Sequence, residues 1–183
     1  MSLNINGSYD PSYRYKMPLI QSTSIKSNGG DTIINNLNEI CKTINQPPLL
    51  ILEYLSIYCN TKKNNKKFSI TGEYTNEHLQ HGLQIYINHF VICSKCGIPE
   101  IKPQLKKISK KNILLELKCS ACGQLSVIES NNKNSKAYDL IIKYLEKNEW
   151  IQCSKGTMVI NSLTKNTNII ESTDDDDILD PLA

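Results

Sequence analysis

Arginine is almost missing from this chain: among 183 residues, with Lys and Arg totalling 21, there is one arginine, Arg14, in the run Tyr13-Arg14-Tyr15-Lys16. Long apolar runs are missing too, so nothing in the sequence has the length of a membrane span. The stretch Met1 to Gly7 is short and polar, with no apolar core of a signal peptide. The chain is therefore expected in a reducing compartment, where thiols persist and disulfides are rare. His78, His81 and His89 form no His-Glu-x-x-His pattern, and no Ser-His-Asp arrangement stands out. Ser27-Asn28-Gly29-Gly30-Asp31-Thr32 has the glycines of a phosphate loop but not the lysine of a Walker loop. The chain is therefore not expected to hydrolyse a nucleotide by itself. Against this lysine-rich background, one guanidinium suggests a position where lysine would not serve. Arginine offers a planar fork that grips two phosphate oxygens, whereas lysine is a hydrated point charge. The alternative is an arginine stacked on its flanking tyrosines at the surface.

What is present is a cysteine quartet. Cys93-Ser94-Lys95-Cys96-Gly97 and Cys119-Ser120-Ala121-Cys122-Gly123 are two CxxCG knuckles. Two residues between cysteines let both sulfurs reach one tetrahedral ion, and the following glycine permits the tight turn behind it. Separated by a hairpin's length of chain, the pair is the sequence form of a zinc ribbon. Four cysteine ligands make a closed, structural Zn2+ site with no open position for catalysis. A redox pair or two disulfides would use the same residues in another setting. Cys41, Cys59 and Cys153 lack this spacing and read as small apolar residues.

The net charge of +3 conceals an asymmetry. Residues 166–183 hold six acidic residues, Glu171, Asp174 to Asp177 and Asp180, and no lysine or arginine; the remainder has 21 basic against 12 acidic, or +9. A basic body with an acidic end suits an RNA- or ribosome-associated protein, or simply a solubilised terminus. The expected class is α+β, in five stretches. Residues 1–31 form a flexible N-terminal arm, 32–90 a small α/β domain and 91–130 a four-cysteine zinc ribbon of about three antiparallel strands. Residues 131–165 carry a helix and extension, and 166–183 a disordered acidic tail. Within the domain, Leu37, Ile40, Cys41 and Ile44 share a helical face, with Thr32 to Asn35 either continuing it or forming a strand before it. Leu49 to Tyr58 reads as a helix and Asn60 to Lys67 as a charged loop. Lys67 to Thr71 alternates as a strand, turning at Gly72. Thr75 opens a helix that buries Leu79, Leu83, Tyr86, Ile87 and Phe90. In the ribbon, Leu105 to Ile108, Ile113 to Lys118 and Ser126 to Glu129 read as strands. Lys106, Lys107, Lys110 and Lys111 crowd the hairpin, as an RNA-contacting tip or as charges protecting an edge. Ala137 to Trp150 reads as a helix packed on the ribbon.

These features resemble the family of eukaryotic translation initiation factor 5 and the beta subunit of initiation factor 2. The likeness runs from Ser2-Leu3-Asn4-Ile5-Asn6 through Tyr13-Arg14-Tyr15-Lys16-Met17-Pro18, Asn45 with Pro47-Pro48, Gly72, Leu79-Gln80 and Phe90-Val91-Ile92-Cys93. Pro99-Glu100 and Cys119-Ser120-Ala121-Cys122-Gly123 complete it, and the arm favours the factor 5 branch. The resemblance implies a GTPase activator, without catalysis of its own, acting in start-codon selection. Arg14 would be an arginine finger for initiation factor 2, supported by Lys16, with Asn28, Gly29, Gly30, Asp31 and Thr32 forming a loop toward the partner. The implied partners are GTP-bound initiation factor 2 through its gamma and beta subunits, the small ribosomal subunit and initiator tRNA. The setting is cytoplasmic, with no membrane, and the protein a monomer. Two departures stand out: Asp31 lies where the family's glycine-rich loop carries lysine, and the chain reads as a short form without the C-terminal helical-repeat domain. Asp31 and that short form favour a second reading, a non-catalytic mimic competing for the factor 5 site. A nucleic-acid-binding zinc-ribbon protein of transcription is the third.

Overall fold

The computed structural model describes residues 2–26, 30–107, 113–128 and 135–148. Its architecture is α+β, with three antiparallel sheets and four helices among these residues. The first sheet pairs β1 (Ser2–Asn4) with β2 (Lys16–Pro18). The second has four strands in the order β3 (Ser22–Ile25), β4 (Asp31–Ile34), β6 (Ser69–Thr71) and β5 (Lys63–Asn64). Thr32 and Ile34 alternate into the core from β4, which decides that the ambiguous stretch before the first helix is a strand. The loop expected over Asn60 to Lys67 includes β5.

Helix α1 (Leu37–Thr43) buries Leu37, Ile40 and Cys41 and gives way at Asn45, whose φ of 55° no helix continues. Pro47 and Pro48 then start α2 (Pro48–Tyr58), with Pro48 in a first turn that needs no N–H from it. Leu50, Ile51, Leu52, Tyr54, Leu55 and Ser56 are all buried, so α2 is apolar around most of its circumference and runs through the middle of the core. Helix α3 (Asn76–Phe90) is capped by Thr75, whose hydroxyl accepts from the His78 N–H, and it buries the five residues its periodicity singles out.

The third sheet is the ribbon: β7 (Ile101–Lys107), β8 (Ile113–Cys119) and β9 (Leu125–Ile128), in that order. Helix α4 (Ser135–Lys147) packs on β7, as its periodicity suggested, and also on α2. Its buried face is Ala137, Tyr138, Leu140 and Ile141, and the Tyr138 hydroxyl lies 3.4 Å from the Leu115 N–H. One helix thus joins the ribbon to the α/β core.

The N-terminal segment departs from the expected flexible arm. Over residues 2–26 it is paired and anchored: Ile5, Met17 and Ile20 are at most 2% exposed. Gln84 donates to the Ile5 carbonyl at 2.9 Å, and Gln80 accepts from the Ile20 N–H at 2.9 Å. Asn36 grips the same segment, donating to Leu19 O and accepting from Gln21 N. Three apolar residues spread over sixteen positions give no periodic signal, and their partners lie far along the chain. The ribbon tip at 108–112, the extension over 151–165 and the acidic stretch 166–183 lie outside the described residues.

Candidate functional site

The first knuckle is launched from the end of α3. Val91 caps that helix through Ile87 O, and its own carbonyl accepts from Ile101 N, so the chain enters and leaves the knuckle at one point. Cys93 N–H bonds Ile98 O at 3.0 Å, and Gly97 N–H bonds Cys93 O at 2.8 Å. The second knuckle repeats the pattern at the end of β8: Cys119 N–H to Gln124 O at 2.8 Å, Gly123 N–H to Cys119 O at 3.0 Å. Gly97 and Gly123 have φ of 70° and 73°, and a Cβ at either would meet nothing within 4 Å. The requirement at both positions is conformational, not steric.

The four sulfurs of Cys93, Cys96, Cys119 and Cys122 all lie within 4.8 Å of one another, with Cys93–Cys122 and Cys96–Cys119 each at 3.7 Å. A tetrahedral ion with metal–sulfur bonds of about 2.3 Å sets sulfurs about 3.8 Å apart. Geometry and donor chemistry therefore fit a soft-ligand tetrahedral ion such as zinc. Burial raises the Cys93 thiol, but the N–H groups of Cys96 and Lys95 and the neighbouring sulfurs outweigh it and bring it down to about 7. At Cys96 the Ile98 N–H favours the thiolate, yet burial and the three other sulfurs push the thiol up to about 12. Cys119 is also raised, burial being foremost. The Cys93 thiolate forms readily while Cys96 and Cys119 resist, as expected of sulfurs that need a cation between them to ionise together. Cys41 and Cys59 lie outside this group, and burial raises Cys59 to about 11.

The hairpin that carries the expected arginine touches the first knuckle through its tyrosines. The β1–β2 ladder continues through Ile5 N–H to Tyr15 O at 3.0 Å, and the loop between the strands is laced by Asn4, which donates to Asp10 O. Tyr13 and Tyr15 are half-buried against the core, with ring centroids 5.9 Å apart, while Arg14 and Lys16 between and after them are exposed. This is the two-residue alternation of an extended chain: tyrosines turn inward and cations outward. The Tyr13 hydroxyl donates to the Gly97 carbonyl of the first knuckle at 3.3 Å, and the Tyr15 hydroxyl lies 3.5 Å from Glu100 Oε1. Burial first, and then Tyr15, raises the Tyr13 phenol. Lys16 Nζ donates to Pro11 O at 3.4 Å.

The other candidate residues occupy different elements. Gly30, Asp31 and Thr32 belong to the four-stranded sheet or its edge. Gly30 O accepts from Gly72 N–H, and the fully buried Thr32 hydroxyl donates to Gly72 O at 2.7 Å and accepts from Tyr74 N–H. Asn28 and Gly29 lie outside the described residues. Lys106 pairs with Glu116 on β8 at 3.0 Å. Its hydrogen bond, followed by that from Gln104, holds the Glu116 carboxyl below the usual range. Lys110, Lys111 and the Lys107 side chain lie outside the described residues. The histidines are engaged locally: His81 Nδ1 is 2.9 Å from the Tyr58 hydroxyl, His78 stacks on Tyr74, and His89 meets Ile85 O. Sequence reasoning gave Gln80 no role and missed Gln84, which together hold the hairpin, and Gly97 O, which receives Tyr13. Two glutamines one turn apart on an amphipathic helix are the signal for the former; the latter left none.

A family model for the domain found in initiation factors 2B and 5 matches residues 6–125, a stretch that includes Arg14 and all four ribbon cysteines. Eukaryotic translation initiation factor 5 of Dictyostelium discoideum is 39% identical over 127 residues, covering 68% of this chain and 31% of that protein. The Caenorhabditis elegans factor is 35% identical over 141 residues, 74% of this chain and 31% of the relative. For Saccharomyces cerevisiae the figures are 33% over 141 residues, 74% and 34%. The chain spans about a third of the length of these relatives. With a match over most of its length, and relatives that are factors 5, the chain belongs to the family defined by this shared domain of initiation factors 2B and 5.

Proposed function

We propose that the protein is a translation initiation factor that stimulates GTP hydrolysis by initiation factor 2 and so contributes to start-codon selection. The observation that carries this reading is the exposed Arg14, held outward between two tyrosines that rest on the ribbon. A guanidinium so presented can enter a partner's nucleotide site and neutralise charge developing on the transferring phosphoryl group. Such fingers contribute about 10³–10⁵ in rate, or ~4–7 kcal/mol of barrier. Lys16 adds positive charge on the same side of the hairpin. The ribbon holds a structural zinc ion that supplies rigidity and no chemistry. Partners are GTP-bound initiation factor 2 (gamma and beta subunits), the small ribosomal subunit and initiator tRNA, in the cytoplasm. Lys106, Lys107, Lys110 and Lys111 contact RNA phosphates. Asn28, Gly29, Gly30, Asp31 and Thr32 form the loop for the partner, with the buried Thr32 hydroxyl anchoring it to Gly72 O.

Asp31 favours a second reading. A carboxylate beside a phosphate site opposes the charge the finger supplies, as in a mimic that occupies the factor 5 position without activating. Single-turnover GTP hydrolysis in reconstituted complexes of ribosomal subunit, initiation factor 2, GTP and initiator tRNA separates the two. An activator accelerates hydrolysis when added alone; a mimic leaves the basal rate and slows hydrolysis stimulated by authentic factor 5.

A further inference from the structure

The contact between the Arg14 hairpin and the first cysteine knuckle joins two features that the sequence keeps about eighty residues apart. The Tyr13 hydroxyl has as its acceptor the Gly97 carbonyl, the residue at which the knuckle turns. That carbonyl is oriented by the positive φ of Gly97 and by the bonds Gly97 N–H to Cys93 O and Cys93 N–H to Ile98 O. Tyr15 reaches Glu100, whose carbonyl accepts from Ser120 N–H at 2.9 Å, so the second knuckle bears on the same spot. Each knuckle is buried at its first cysteine and open at its second. Cys93 and Cys119 are 3% and 1% exposed, whereas Cys96 is half-buried, Cys122 is exposed, and a Cβ at either glycine would meet nothing within 4 Å. The outer halves of the knuckles, Cys96 and Cys122, are the part that depends most on the ion the four sulfurs would bind.

We propose that metal loading of the cysteine group holds the Arg14 hairpin in register, with Tyr13 as the positioning residue that transmits it. A loaded knuckle fixes the Gly97 carbonyl; a fixed acceptor keeps the Tyr13 ring turned inward; and alternation then keeps Arg14 outward. When the knuckle opens, Tyr13 loses its acceptor. Residues 13–15 then keep the Ile5 N–H to Tyr15 O bond, the Tyr13 N–H to Asp10 O turn and their packing on the core, a weaker hold that opens more often. What the ordered Arg14 does rests on the function proposed above; the coupling itself does not, and it is read without GTP or ribosomes.

The chain provides its own probe. Arg14 is the one arginine, so an arginine-specific protease has a single site, the Arg14–Tyr15 bond. Cleavage of an ordered segment proceeds through local opening, so its rate reports hairpin order. The full chain, loaded with zinc, is digested before and after chelation, beside Tyr13→Ala, Tyr13→Phe and the control Tyr9→Ala, whose ring is fully exposed. Chelation is expected to raise the wild-type rate about tenfold. In zinc-loaded protein Tyr13→Ala raises it about fivefold and Tyr13→Phe less, with zinc content and thermal midpoint unchanged. Chelation then adds little further in Tyr13→Ala, while Tyr9→Ala behaves as wild type. A wild-type rate indifferent to chelation overturns the proposal. So does a Tyr13→Ala protein that is cleaved no faster when loaded, because hairpin release would then be general unfolding. A failure to stimulate GTP hydrolysis with these results intact would count against the proposed function alone.

Discussion

Tyr86 on α3 is fully buried, and its hydroxyl donates to Gln46 Oε1 at 2.8 Å, with Gln46 itself only 2% exposed. Tyr54 meets the same ring edge-on at 4.9 Å. Burial, before any neighbouring charge, holds the Tyr86 phenol well above the ordinary value of 10.0, and burial followed by Tyr58 takes Tyr54 up to about 12. Both phenols keep their proton more tightly folded than unfolded. Their contribution to stability is therefore complete below about pH 10 and is lost as pH rises through the folded values. In a spectrophotometric titration these two tyrosines should ionise only as the fold opens. Tyr86→Phe deletes one oxygen and leaves Gln46 Oε1 buried without that donor, which should cost about 1–3 kcal/mol in chemical denaturation. Sequence periodicity marks Tyr86 as inward-facing but cannot supply its partner, because Gln46 lies in a proline-bounded loop forty residues away.

At the scale of elements, α3 does more than fill the core. One end is capped by Thr75, the other runs into the first knuckle, and Gln80 and Gln84 hold the hairpin between. The cap and the apolar face were legible, since both depend on residues within a few positions. The hairpin was not: its strands are three residues long and its anchors come from α3 and Asn36, so a sparse polar segment reads as a loose arm. Gly82 marks where α3 crosses α2. A Cβ there would stand 2.6 Å from the Tyr58 ring, whose hydroxyl meets His81. Gly82→Ala should destabilise the protein by about 1–3 kcal/mol in thermal or chemical melts despite alanine's better helix propensity, because the ring must move away from the helix.

Across the whole molecule, the ribbon is tied to the rest by a helix and a hairpin. Helix α4 joins it to α2, and the tyrosines beside Arg14 rest on its first knuckle. The cysteine spacing announced the metal group because each knuckle is a local turn, and the CxxCG pattern needs only glycine at the positive-φ position. The side on which the N-terminal hairpin docks depends on long-range packing and leaves no periodic trace. Cys119→Ser should abolish stoichiometric zinc binding and lower the thermal midpoint by several degrees, since a module this small has little core of its own. Metal analysis and calorimetry on the same sample check both.

The central claim concerns Arg14, and single-turnover GTP hydrolysis with the Arg14→Lys variant addresses it most directly. The variant keeps the positive charge and the hairpin but removes the two-pronged donor. Stimulation should fall at least about a hundredfold from the wild-type level, toward the unstimulated rate, with zinc content and stability intact. Stimulation that survives with lysine at this position would contradict the arginine-finger role.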